Sequence, residues 1–276
     1  MHHRSGFTLI EMSIVLIIIG LIIGGVLVGR DLIEAAKIRQ QITQIEQFKA
    51  AVNTFRTKFN GLPGDLLSTQ ATAFGFVQRA GTPGHGDGNG ILESCGPATS
   101  SGWYLGCETV LFWRDLSDAG LIAGTFTGDA DSLVAMNDGQ QEQYIPAAKL
   151  GNHNFITVYG GNISISGGSG PQELFLLPGD TVTYALVQGV TTLSGAYSVV
   201  NAGTTPAEAS AIDTKIDDGM PATGTVWGAS IDWGIMSVTN PDALNACVNS
   251  DDGGVTYYYR LSAPFVDGSY CTMNFR

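Results

Sequence analysis

Glu11 is a carboxylate at the leading edge of an uncharged apolar run, Met12 to Gly29, whose length suits a bilayer. An ionised carboxylate in a membrane costs on the order of 2.5–3.5 kcal/mol, so its position calls for a compensating charge. The nearest cation arises if the chain is cut after Gly6. The new α-amino group of Phe7 then stands one helical turn from Glu11. The chemistry these residue types support is a charge pair created by processing. Two other readings use the same letters. A secretory signal peptide needs a small-residue cleavage site behind its apolar stretch, and Ala35-Ala36, inside a charged helical segment, is the only nearby candidate. A plain signal anchor needs the apolar run alone. Basic residues do not orient the segment: the leader holds only Arg4 besides its start amine, while Arg30, Lys37 and Arg39 follow the run.

Gly6-Phe7-Thr8-Leu9-Ile10-Glu11, with Gly20 inside the apolar run, resembles the class III signal of type IV prepilins and pseudopilins. That resemblance implies a leader of residues 1–6, removed between Gly6 and Phe7 on the cytoplasmic side. It also implies N-methylation of Phe7 by the prepilin peptidase/methyltransferase, which leaves the amine cationic. Glu11 becomes the glutamate that docks a subunit against the terminal amine of a neighbour. The implied partners are other copies of the chain, other pilins, the processing enzyme, the inner-membrane assembly platform and, before assembly, the lipid bilayer. The precursor is then expected in the inner membrane with its head in the periplasm, and the assembled form in a cell-surface pilus or periplasmic pseudopilus.

A stem of residues 7–60, with the membrane segment at 12–29, must position this site. Beyond Gly29 the apolar residues Ile38, Ile42, Ile45, Phe48, Val52, Phe55 and Phe59 recur at steps of three and four, the signature of a helix with one sticky face. Lys37, Gln40, Gln41, Gln44, Gln47 and Arg56 fill much of the polar remainder. No proline occurs between Phe7 and Asn60, so a single helix of roughly 80 Å is expected, ended by Gly61 and Pro63. A short coiled-coil seam competes with packing of the outer half on the chain's own head. Gly20, Gly24, Gly25 and Gly29 allow close approach of membrane helices.

The head, residues 61–276, carries 6 Lys and Arg against 21 Asp and Glu, a net −15 within a chain of −12. Such a surface disfavours nucleic acid, which is not expected as a partner. Short β-branched or aromatic runs at 155–159, 162–166, 173–177, 181–188, 226–233 and 256–261 predict strands, the first two as a hairpin over Gly160-Gly161. Glu108 to Ala119, stopped by Gly120, and a second segment opened by Thr205-Pro206 predict helices. The fold class is α+β: a long amino-terminal helix packed on an antiparallel sheet. The stretches 111–122 and 212–221 also resemble framework segments of pilin-like proteins.

Cys95, Cys107, Cys247 and Cys271 form an even set in an exported head and predict two disulfides, with three pairings open and local pairing expected. In a pilin-like chain, Cys247–Cys271 would bound the carboxy-terminal loop. Zinc is disfavoured, because neither pair has Cys-x-x-Cys spacing and processing leaves only His85 and His153. The segment from His85 to Glu93 alternates glycine with oxygen-bearing side chains, which makes Asp87, Asn89 and Glu93 weak calcium candidates. His85 stands where an aspartate is expected, and a Gly-rich turn capped by Asp87 and Asn89 is the preferred reading. No other cofactor is expected. With two histidines and no nucleophile motif, the chain is not expected to be an enzyme. The function expected is structural: a subunit of a type IV pilus or related filament. A type II secretion pseudopilin, or a minor pilin or tip adhesin with a ligand-binding head, is the alternative.

Overall fold

The computed structural model describes residues 8–93, 106–128, 141–151, 154–160, 182–194, 197–202, 204–221, 223–232, 235–237, 247–250, 257–259, 261 and 271–275. Helix α1 (Leu9–Phe59) runs unbroken for 51 residues, about 76 Å at 1.5 Å per residue. Thr8 caps it in an extended conformation, and Asn60 ends it in the left-handed region at φ 53°, its N–H donating to the Arg56 carbonyl. The left-handed stop is thus Asn60 rather than Gly61, since a short amide side chain tolerates that conformation. Gly64 serves a different need. At φ +85°, an added Cβ would lie 2.3 Å from the Glu108 carbonyl oxygen, so the turn and the helix that opens at Glu108 approach backbone to backbone.

The apolar stripe of α1 behaves as its spacing predicts. Ile38, Ile45, Phe48, Val52, Phe55 and Phe59 are buried and Ile42 packs against them, all within the chain's own core rather than in a coiled-coil seam. Gln41 and Gln44 correct the polar assignment. Both are buried, because each satisfies backbone groups of the head segment 147–150. The end of the stem is an aromatic cluster. The Phe55 ring lies 4.5 Å from Phe59 and 5.5 Å from Phe76, and Phe59 packs edge-on against Phe74 and Phe76.

The head adds α2 (Ser68–Phe74), α3 (Glu108–Asp118), a 3-10 turn at Gln141–Gln143 and α4 (Pro206–Ile216). It also adds strands β1 (Asn154–Gly160), β2 (Val182–Ser194), β3 (Tyr197–Ala202), β4 (Val226–Asp232), β5 (Ile235–Ser237), β6 (Val248–Ser250), β7 (Tyr257–Tyr259) and β8 (Thr272–Phe275). Among the described strands pairing is antiparallel, in the order β1-β2-β8-β4-β5 with β3 also on β2; β6 and β7 form a separate pair. The short carboxy-terminal strand β8 joins the two halves of the sheet, with Phe275 opposite both Tyr184 and Val226. β1 pairs with β2 from Asn154↔Gln188 to Gly160↔Val182. The expected hairpin arm at 162–166 and the strand at 173–177 lie outside the described residues.

The stem meets the sheet mainly through an intermediate layer. α1 packs on α3 and α4, and those helices contact β1, β4 and β7. Phe48 and Trp113, with ring centroids 4.9 Å apart, seal the α1–α3 contact. The two predicted head helices match their sequence signals, whereas α2 is not among the expected elements. α3 keeps its predicted start, and α4 opens with a capping box in which Thr205 and Glu208 satisfy each other's backbone N–H.

Candidate assembly surface

Thr8 and Glu11 form a reciprocal cap at the head of α1. The Glu11 N–H donates to Thr8 Oγ1 (3.3 Å), while the Thr8 N–H (2.8 Å) and hydroxyl (2.7 Å) both donate to Glu11 Oε2. Charge compensation alone singles out Glu11 and overlooks Thr8. The signal is nonetheless present in the sequence, because Thr-x-x-Glu ahead of an apolar run is the capping-box pattern. The geometry gives the carboxylate two tasks at once. Oε2 completes the helix start, and Oε1 takes no hydrogen bond from a described residue, which leaves it open to a further donor. Gly6 and Phe7 lie outside the described residues.

The helix that follows is apolar on every side. No residue from Leu9 to Lys37 is buried by the chain, and Leu9, Leu16, Ile17 and Leu21 each expose two-thirds or more of their surface. Burying even one such side chain is worth about 1.5–3 kcal/mol, so the segment requires a solvent other than water. It is long and apolar enough to cross a membrane. Its glycines answer to nothing in the chain's own fold: a Cβ added at Gly20, Gly24, Gly25 or Gly29 meets no atom within 4 Å.

The outer half of α1 is held to the head by amide chemistry. Gln44 donates to the Ala147 carbonyl (2.9 Å) and accepts from the Lys149 N–H (3.0 Å); Gln41 accepts from the Leu150 N–H (3.0 Å). Two buried glutamines therefore act for the loop as a neighbouring strand would, fixing how the head sits on the stem.

At the base of the stem, buried carboxylates organise the Gly-rich loop. Asp65 accepts from the Gly88 and Gly90 N–H groups, and Glu108 accepts from those of Gly86 and Glu93, all at 2.7 Å. Asp87 and Asn89 each accept from the N–H two residues on, the Asx turns that the preferred reading of this loop requires. Asn89 also donates to Glu93 (3.2 Å). Asp65, Asp87 and Glu108 bring one oxygen each within 4.8 Å of one another, as do Asp213, Asp217 and Asp218 elsewhere in the head. These are the described groups spaced to hold a cation. Burial pushes the Asp65 carboxyl up to about 6 and that of Glu108 up to about 9. Asp115, also buried, is ion-paired with Arg79 and accepts from the Gly64 N–H (2.7 Å). Its burial pushes the carboxyl up against the opposing pull of those two donors. The pairing of Asp65 with Glu108 escapes sequence reasoning because the two lie far apart along the chain.

Cys247 and Cys271 are disulfide-bonded with Cα atoms 4.9 Å apart, tying β6 to the residue that opens β8. Cys107 is disulfide-bonded as well, and Cys95 lies outside the described residues. His85 belongs to the described loop and His153 does not.

Residues 1–27 match the model of the prokaryotic N-terminal methylation motif. No curated protein and no solved structure matches the chain. The chain therefore carries, over residues 1–27, the N-terminal methylation motif that is the prepilin signal of type IV pilins and pseudopilins.

Proposed function

We propose that this chain is a structural subunit of a type IV pilus or a related filament, the type II secretion pseudopilus included. In this reading residues 1–6 are the leader, cleavage falls between Gly6 and Phe7, and Phe7 is N-methylated. The stem then holds the precursor in the inner membrane with the acidic head in the periplasm. On assembly the same apolar surface leaves lipid for the flanks of other subunits, and Glu11 Oε1 receives the cationic amine of a neighbour.

The observation that carries this reading is the division of α1. One continuous helix is core of the head from Ile38 onward and has no buried residue before it. A surface apolar all round cannot be satisfied by one flat partner; it needs lipid or several helices at once. The open glycines and the free carboxylate oxygen fit the second of these. The role assigned is packing, and the reading carries no catalytic step and no cofactor.

Glu11→Ala tests the assignment. The variant is expected in membranes, cleaved after Gly6, but absent from the sheared filament fraction. Wild-type incorporation would remove the role given to Glu11.

A further inference from the structure

Between the last glycine of the apolar run and the first buried residue, α1 carries four charges: Arg30, Asp31, Glu34 and Lys37. All are exposed, and none of their side chains forms an ion pair or hydrogen bond with a described residue. The missing contact is informative for Arg30 and Glu34. They stand four apart, within reach along one helix, yet basic-before-acidic is the weaker order for such a pair and it does not form. Asp31 and Glu34 stand three apart on one face, so the band presents a carboxylate pair beside a lone guanidinium. Lys37 leans toward its own head, its Nζ 4.0 Å from where a Cβ would sit on Gly151. With Leu27 and Glu208 of α4, these four residues line a cleft of about 310 Å³ where stem meets head.

We propose that this cleft is a register-setting contact between copies of the chain, in which Arg30 of one stem lies against Asp31 and Glu34 of the next, parallel stem. The inference rests on the filament reading above. The apolar surface that assembly would cover runs without a break into the band. Once water is excluded there, a charge without an opposite partner costs several kcal/mol. The band supplies both signs but does not pair them internally, so the complement available in every copy is another copy. A parallel neighbour displaced along the axis by about 6 Å, four residues of rise, brings its Glu34 level with Arg30. Apolar packing alone is indifferent to sliding. Opposite charges on identical helices penalise wrong stagger, because they bring like charges together.

The test uses full-length chains carrying Arg30→Glu or Glu34→Arg, expressed singly and together. Each variant alone is expected to lose incorporation into sheared filaments by at least about tenfold, the scale of like charges brought together in a dry contact. Co-expression is expected to restore mixed filaments, since the carboxylate introduced at position 30 of one chain then faces the guanidinium introduced at position 34 of the other. Heads of both variants should keep wild-type protease resistance, which separates an assembly defect from misfolding. Normal incorporation of either single variant overturns the contact while leaving the filament reading intact. So does failure of co-expression to restore assembly, which would place the charges' role within one chain. Absence of the wild-type chain itself from filaments would remove the filament reading and this contact with it.

Discussion

The two halves of α1 share one helix but differ in apolar content and in what covers them. From Leu9 to Lys37 no residue is buried, whereas nine are buried between Ile38 and Phe59. The outer half alternates, so one face suffices and a single head can cover it. The inner half does not alternate, and its partners must surround it. Periodicity therefore separates a segment that folds within one chain from a segment that is completed by other molecules. The polar groups follow the same division. Gln41 and Gln44 are spent on the chain's own loop, while Glu11 Oε1 and Arg30 have no partner among the described residues.

Paired substitutions in the two halves break this comparison most sharply. Phe55→Ala removes a fully buried ring from the aromatic cluster and should cost the head about 3–5 kcal/mol in thermal unfolding of the detergent-solubilised chain. Ile17→Ala should change that unfolding by no more than about 0.5 kcal/mol while lowering filament yield. Equal effects on head stability would erase the distinction between the halves. Next in size, replacing Cys247 and Cys271 together by alanine should cost about 2–4 kcal/mol, because the bridge closes a separation of 24 residues and ties β6 to β8. Membrane insertion should be unaffected.

Gln44→Ala sharpens the comparison at the join. It leaves the Ala147 carbonyl and Lys149 N–H without their partner and should cost about 1–3 kcal/mol, with faster hydrogen exchange at 147–150 than elsewhere in the head. The last effect, fixed in direction by burial, is electrostatic. Glu108 and Asp65 bind protons more tightly folded than unfolded, since burial raises both. Their contribution is present at low pH and lost as pH rises, for Asp65 from about 4 to 6 and for Glu108 from about 4.5 to 9. Melting of the head should fall between pH 5 and 9. A rise over that interval would contradict the burial of these groups.

Much of this was legible because the informative patterns are local. The stripe from Ile38 to Phe59, the Thr205-Pro206 start of α4 and the Gly6–Glu11 motif each lie within a few turns of chain. What sequence reasoning missed depends on distant partners. Gln41 and Gln44 look like solvent-facing residues until segment 147–150 meets them, and the seat of the Gly-rich loop joins Asp65 to Glu108. β8 is four residues long and lacks alternation strong enough to announce a strand, yet it bridges β2 and β4. Thr8 is the exception. It is local and readable, and it is hidden only by the attention its neighbour Glu11 attracts.

Intact and amino-terminal mass spectrometry of the chain recovered from sheared filaments weighs the pairing of Glu11 with a processed terminus most directly. A mature chain that begins at N-methylated Phe7 is the expected result. Filaments built from chains that still begin at Met1 would leave Glu11 without its cation and would contradict it.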